Sequence, residues 1–147
     1  MSIDLHEELG MGFGEAVTTV FGKYATFSGR ARRAEFWWWY LFVLLVSIAL
    51  SVIAAATGGF TLDPDTGMPE IGGMYYVTLL VGLALLLPNL AVTVRRLHDT
   101  DRSGFWWFIG LVPLVGWIIL LVLMVLEGTT GPNRFGRDPR YRSDLPS

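Results

Sequence analysis

Residues 36–56 read FWWWYLFVLLVSIALSVIAAA, a run with no Asp, Glu, Lys or Arg. A helix rising ~1.5 Å per residue crosses the ~30 Å hydrocarbon core of a bilayer in about 20 residues, so this run is long enough to span. Two more charge-free runs follow, MYYVTLLVGLALLLPNLAVTV at 74–94 and FWWFIGLVPLVGWIILLVLMVL at 105–126. Three such helices in a chain of 147 residues have no protein large enough to hide them from water. The expected fold class is therefore all-α: a single polytopic membrane domain of three transmembrane helices. The first run lies too far into the chain and is too long for a cleaved signal core, so it is expected to be retained.

Composition agrees. The chain is 52% apolar and only 16% charged, with a mean hydropathy of +0.49, whereas soluble domains carry roughly 25% charged residues. Aromatic residues open each run (Trp37, Trp38, Trp39 and Tyr40; Tyr75 and Tyr76; Trp106 and Trp107), where a ring with a polar tip sits at headgroup level. They do not alternate with Lys and Arg as in a strand-binding groove, which argues against a nucleic-acid partner.

Before the first span, residues 8–27 carry Phe13, Val17, Val20, Phe21 and Tyr24 at helical spacing. They form an amphipathic helix lying along the membrane surface or packed on the protein's own loops. Residues 57–73, TGGFTLDPDTGMPEIGG, are rich in Gly and Pro and read as a loop, with DPDTG a turn rather than a calcium site. Residues 127–147 form a polar tail.

The 11 basic residues avoid the acidic 57–73 loop altogether. Lys23, Arg30, Arg32 and Arg33 precede the first run, Arg95, Arg96 and Arg102 separate the second and third, and Arg134, Arg137, Arg140 and Arg142 follow the third. Short basic loops stay cytoplasmic, so the N-terminus is expected inside and the acidic loop outside. The tail conflicts with this, because a third full span carries its arginines outside. The full span is preferred here. The alternative is a re-entrant hairpin turning at residues 113–116, with Pro113 at the break and a tip that protein must shield.

No cysteine is present, so disulfides, thiol chemistry and Cys-based metal sites are excluded. The densest polar cluster is RRLHDTDRSG at 95–104. His98 beside Asp99 has the makings of a proton relay, but no nucleophile or metal set accompanies it. The plainer reading has Asp99 and Asp101 neutralising nearby arginines, with Arg95 and Asp99 at i, i+4 spacing. In SGRARRAEF at 28–36, Ser28 is a candidate helix cap and Arg32 can pair with Glu35. Arg30, Arg32, Arg33, Arg95, Arg96 and Arg102 together form a candidate surface for anionic lipid headgroups or a protein partner, or serve only to set topology. Pro88 removes a backbone donor and frees the Ala84 carbonyl, and the adjacent Asn89 is the only amide within the spans. That break is either a substrate site or an interhelical hydrogen bond. Ser47, Ser51 and Ala55 form a stripe suited to close helix packing.

Three blocks carry a resemblance: YATFSGRARRAEFWWW at 24–39, VRRLHDTDRSGFWW at 94–107 and EGTTGPNRFGRDP at 127–139. Together they resemble the bacterial inner-membrane family of domain of unknown function 805, the YhaH/YhaI-like proteins. The resemblance implies the bacterial cytoplasmic membrane and implies no activity, cofactor or catalytic residue. The expected function is thus a non-enzymatic membrane component without cofactor or metal. Its partners would be lipids, a second copy or another membrane protein. A transporter or channel subunit built around Pro88 and Asn89 is the alternative, and an enzyme using His98 and Asp99 the third.

Overall fold

The computed structural model describes residues 10–140, so His6 and Arg142 fall outside the described residues. Helix α1 (Phe13–Gly22) leads into α2 (Arg33–Ala56). Strands β1 (Phe60–Leu62) and β2 (Pro69–Ile71) follow, then α3 (Gly73–Asp99), a 3-10 helix (Gly104–Leu111) and α4 (Val115–Val125).

Two helices, α2 and α3, are long and apolar enough to cross a bilayer. The third run is not the single span expected over 105–126. Its 3-10 half rises ~16 Å over eight residues and α4 ~17 Å over eleven, each about half of a ~30 Å core. Between them Pro113 ends helical pairing, and Leu114 turns the chain with φ +62° and ψ −69°. The Val115 amide donates to the Pro113 carbonyl at 2.7 Å, which makes Leu114 the centre of a strained γ-turn. The halves fold back on one another: Trp117 Nε1 donates to the Gly110 carbonyl at 2.7 Å. A Cβ at Gly116 would lie 1.8 Å from the Ile109 carbonyl oxygen, so only glycine permits this approach. The geometry is that of the hairpin alternative.

The segment read as a loop contains a two-stranded hairpin with register Phe60↔Ile71, Thr61↔Glu70 and Leu62↔Pro69. Its turn is held by the Asp63 carboxylate, which accepts the amides of Asp65 and Thr66 at 2.8 and 3.1 Å. These two bonds hold the Asp63 carboxyl below its ordinary range.

Burial is uneven along the helices. The core joins Val20 of α1, Phe36 and Trp39 of α2, Val92 and Leu97 of α3, and Leu123 and Met124 of α4. All lie toward one end. The opposite halves of α2 and α3 present Leu44, Leu45, Ile48, Val52, Leu79, Leu80, Leu83 and Leu86 outward, surface that lipid chains solvate without cost. Helix α1 buries Ala16 and Val20 and docks on α2, with Phe13 edge-on to Trp38 and Phe21 edge-on to Trp39. Its partner is thus a helix of the protein itself rather than the protein's loops.

The carbonyl freed by Pro88 has a partner. Ala84 O accepts a hydrogen bond from the Tyr24 hydroxyl, so a residue just past α1 repairs the break in α3. Tyr24→Phe should cost roughly 0.5–1.5 kcal/mol, the worth of a typical hydrogen bond. In a Pro88→Ala background, where residue 88 regains its own amide, the same change should cost much less. Thermal unfolding of the four proteins in detergent measures the coupling, and equal costs in both backgrounds would refute this role for Tyr24.

Candidate functional site

The end of α3 provides the geometry around which the other blocks gather. The helix stops in a Schellman motif: the Asp101 amide donates to His98 O and that of Arg102 to Leu97 O, both at 3.0 Å, with Asp101 at φ +58°. The tail adds further donors at this end. Thr129 N reaches Asp99 O at 2.7 Å, and Asn133 Nδ2 reaches His98 O at 2.9 Å.

Asp99 is the hub. One carboxylate oxygen accepts from Arg30 Nε at 3.0 Å and the other from Arg96. Arg30 continues into the tail, donating to the carbonyls of Gly131 and Thr129 at 2.6 and 2.5 Å. Arg96 continues into α4, donating to Met124 O and Leu126 O and so capping the helix's C-terminal end. A Cβ at Gly128 would lie 2.0 Å from the Asp99 carboxylate, which is why glycine stands there. One residue upstream on α3, Arg95 is paired with Glu35 of α2. The Nε and Nη2 of Arg95 and the Nε of Arg32 are buried without an acceptor among the described residues.

Arg30, Arg95 and Arg96, expected at the lipid surface, are therefore internal: Arg95 and Arg96 are 0% exposed and Arg30 5%. Arg32 is half-buried opposite Glu15 at 3.9 Å, Arg102 is half-buried with a bond to Thr100 O, and Arg33 is exposed. The pairings differ from those expected. Asp99 takes Arg96 and Arg30 in place of Arg95, and Glu35 takes Arg95 in place of Arg32. Ser28 does not cap α2, which starts at Arg33 without a side-chain cap. Asp101 meets Arg134 at 3.4 Å on the surface.

His98 and Asp99 are not joined as a relay. The His98 ring is stacked on Phe135 at 3.9 Å with Nδ1 3.0 Å from the Gly29 carbonyl, while both Asp99 oxygens are taken by arginines. Asn89 serves helix pairing: its Oδ1 accepts from Trp39 Nε1 at 2.6 Å. Pro113 marks the hairpin turn. Among the described residues no group of three or more His, Asp or Glu could hold a metal. The tail has its own pair, Asp138 with Arg140 at 2.6 Å. Sequence spacing could not locate Glu35 or Gly128, whose partners lie 60 and 29 residues away along the chain.

The three sequence blocks are thus the three walls of one ion-pair network. A family profile described as "Protein of unknown function (DUF805)" matches residues 24–137, from the Tyr24 that bonds the Ala84 carbonyl within α3 to the tail packed on its end. The chain belongs to the DUF805 family. It is 42% identical over 126 residues to the inner membrane protein YhaI of Escherichia coli K12, covering 86% of this chain and 96% of that one. It is 40% identical to the inner membrane protein YhaH of the same organism, covering 82% and 93%, and 31% identical to the uncharacterized protein YiiR, covering 81% and 91%. No solved structure matches. This DUF805 chain is a mostly helical membrane protein.

Two outcomes follow for the network. Glu35→Leu or Arg95→Met alone leaves an uncompensated buried charge and should cost about 3–5 kcal/mol, whereas the double substitution should be close to neutral. Denaturation in detergent tests this, and additive losses would contradict it. In the tail, the Arg140 guanidinium holds the Asp138 carboxyl at about 2, below its ordinary 3.8, with help from the Arg140 and Gly131 amides. A depressed folded pKa stabilises above the unfolded value and is lost as pH falls through the folded one. Hydrogen-exchange protection of the Gly131 amide should therefore persist at pH 4 and disappear toward pH 2. Asp138→Asn should remove that transition.

Proposed function

We propose that this protein is a non-enzymatic, multi-pass component of the bacterial inner membrane with both termini cytoplasmic. On this reading it binds anionic lipid headgroups through the arginines its ion-pair network leaves at the surface. Two spans carry the chain out and back, and the hairpin of residues 104–125 dips into the same leaflet from the cytoplasmic side. The observation that carries the reading is the packing of the tail on Arg30 and Asp99. It gathers every described arginine at one end, while the far hairpin holds Asp63, Asp65 and Glu70 and no basic residue. That distribution satisfies the cytoplasmic preference of basic loops with no exception for the tail. The re-entrant turn at Pro113 is what makes it possible.

Arg33 and Arg134 are exposed and Arg102 is half-buried, and these three form the rim that this reading uses. Arg134 is only weakly committed to Asp101, because both side chains are about half exposed or more (61% and 49%) and such pairs contribute little. Each basic residue at an anionic leaflet contributes ~1 kcal/mol, about fivefold in affinity.

The test joins topology and binding. A C-terminal fluorescent-protein fusion should fluoresce, and a C-terminal alkaline phosphatase fusion should be inactive. In nanodiscs of mixed phosphatidylglycerol and phosphatidylethanolamine, Arg33→Gln, Arg102→Gln and Arg134→Gln together should sharply reduce the phosphatidylglycerol retained per chain. Active phosphatase overturns the topology, and unchanged retention overturns headgroup binding.

A further inference from the structure

Outside the ion-pair network, one cavity combines apolar walls with a polar ring atom that has no hydrogen-bond partner among the described residues. It has a volume of about 360 Å³, within the range of roughly 300–1,000 Å³ typical of small-molecule sites. Phe27, Leu90, Val94, Trp107 and Phe108 supply the walls, and His98 and Ser103 the polar groups. His98 is 9% exposed. Its Nδ1 faces the Gly29 carbonyl, which can only accept, so Nδ1 carries the proton and Nε2 keeps its lone pair. That Nε2 has no partner among the described residues. Ser103 Oγ accepts the Phe105 amide at 3.3 Å as the cap of the 3-10 helix, which leaves its hydroxyl proton to donate elsewhere. Gly104 keeps this corner open, since a Cβ there would lie 2.8 Å from Val94 Cγ1.

The two ends of the cavity differ in chemistry and in depth. Along α3, His98 stands among the arginines, and Leu90 lies eight residues, ~12 Å, toward the middle of the helix. The wall below His98 is aromatic and aliphatic throughout, and Phe105 at the rim is 79% exposed. Such a site asks for a hydrocarbon chain whose head both donates and accepts. An ionised phosphodiester offers acceptors alone and would leave Nε2 facing a lone pair.

We propose that this cavity binds the free carboxyl end of a single-chain membrane amphiphile, a long-chain fatty acid. Bound as the neutral acid, the carboxyl donates its O–H to His98 Nε2, its carbonyl accepts the Ser103 hydroxyl, and the chain runs past Val94 and Leu90 between Phe27 and Phe108. The site does not use Arg33, Arg102 or Arg134, so it stands or falls independently of headgroup binding.

The test is native mass spectrometry of the full chain in a nonionic detergent, titrated with palmitic acid. A saturable one-to-one adduct is expected, at least tenfold weaker with methyl palmitate, which has no proton to donate. His98→Asn keeps an amide donor for Gly29 and removes the Nε2 acceptor, and should weaken palmitic acid at least tenfold while leaving methyl palmitate unchanged. Leu90→Trp fills the apolar half and should abolish both adducts. The triple rim variant used for headgroup binding should keep the palmitate adduct. Full affinity in both His98→Asn and Leu90→Trp would overturn the site. Equal binding of methyl palmitate, or tighter binding of hexadecanol or of phosphatidylglycerol, would overturn the carboxyl assignment.

Discussion

A carboxylate withdrawn from water keeps its charge only if other groups replace its hydration, and Asp99 has been given two guanidinium groups for that purpose. Arginine suits the task because its donors are spread over a planar fork and one guanidinium can serve several acceptors. Arg30 and Arg96 use that capacity fully, each binding the carboxylate with one edge and backbone carbonyls of a third segment with the rest. Most of the architecture at this end follows. The tail is held because Arg30 needs the carbonyls of Thr129 and Gly131, and α4 is held because Arg96 caps its last turn.

The same arrangement reconciles charge with hydrophobicity. A third complete helix would have carried the tail's arginines away from Asp99, and the network could not have formed. By turning at Leu114, the third apolar run keeps hydrophobic residues such as Leu111, Leu114, Trp117 and Ile118 outward and still returns Glu127 and Gly128 to the end of α3. The cost is a strained backbone at one non-glycine residue. It is concentrated where Gly116 allows the two arms to touch.

What could be read from the residues in advance was whatever depends on local composition. The charge-free runs at 36–56 and 74–94 coincide with α2 and α3, and Pro88 freed the carbonyl expected of it. The helical spacing of Phe13, Val17, Val20 and Phe21 located α1, though not the surface it packs on. Hydropathy could not distinguish a span from a hairpin at 105–126, because both are equally apolar and the difference lies in one proline and one glycine. Ion pairing was misassigned for a related reason. Spacing rules join neighbours on one helix, such as Arg95 with Asp99 or Arg32 with Glu35, whereas Arg30 and Arg95 found their carboxylates on other segments and Arg96 alone pairs within its own helix. His98 and Asp99 are adjacent in sequence, yet helical geometry sends their side chains to different neighbours.

The network also imposes an order on biogenesis. Asp99 is synthesised 69 residues after Arg30, and the Gly131 carbonyl a further stretch later, 101 residues from Arg30. Arg30 therefore waits for its carboxylate, and longer still for the carbonyls of the tail. The network is complete only when the carbonyls of Thr129 and Gly131 have been made. A chain lacking them would leave Arg30 without its Thr129 and Gly131 acceptors.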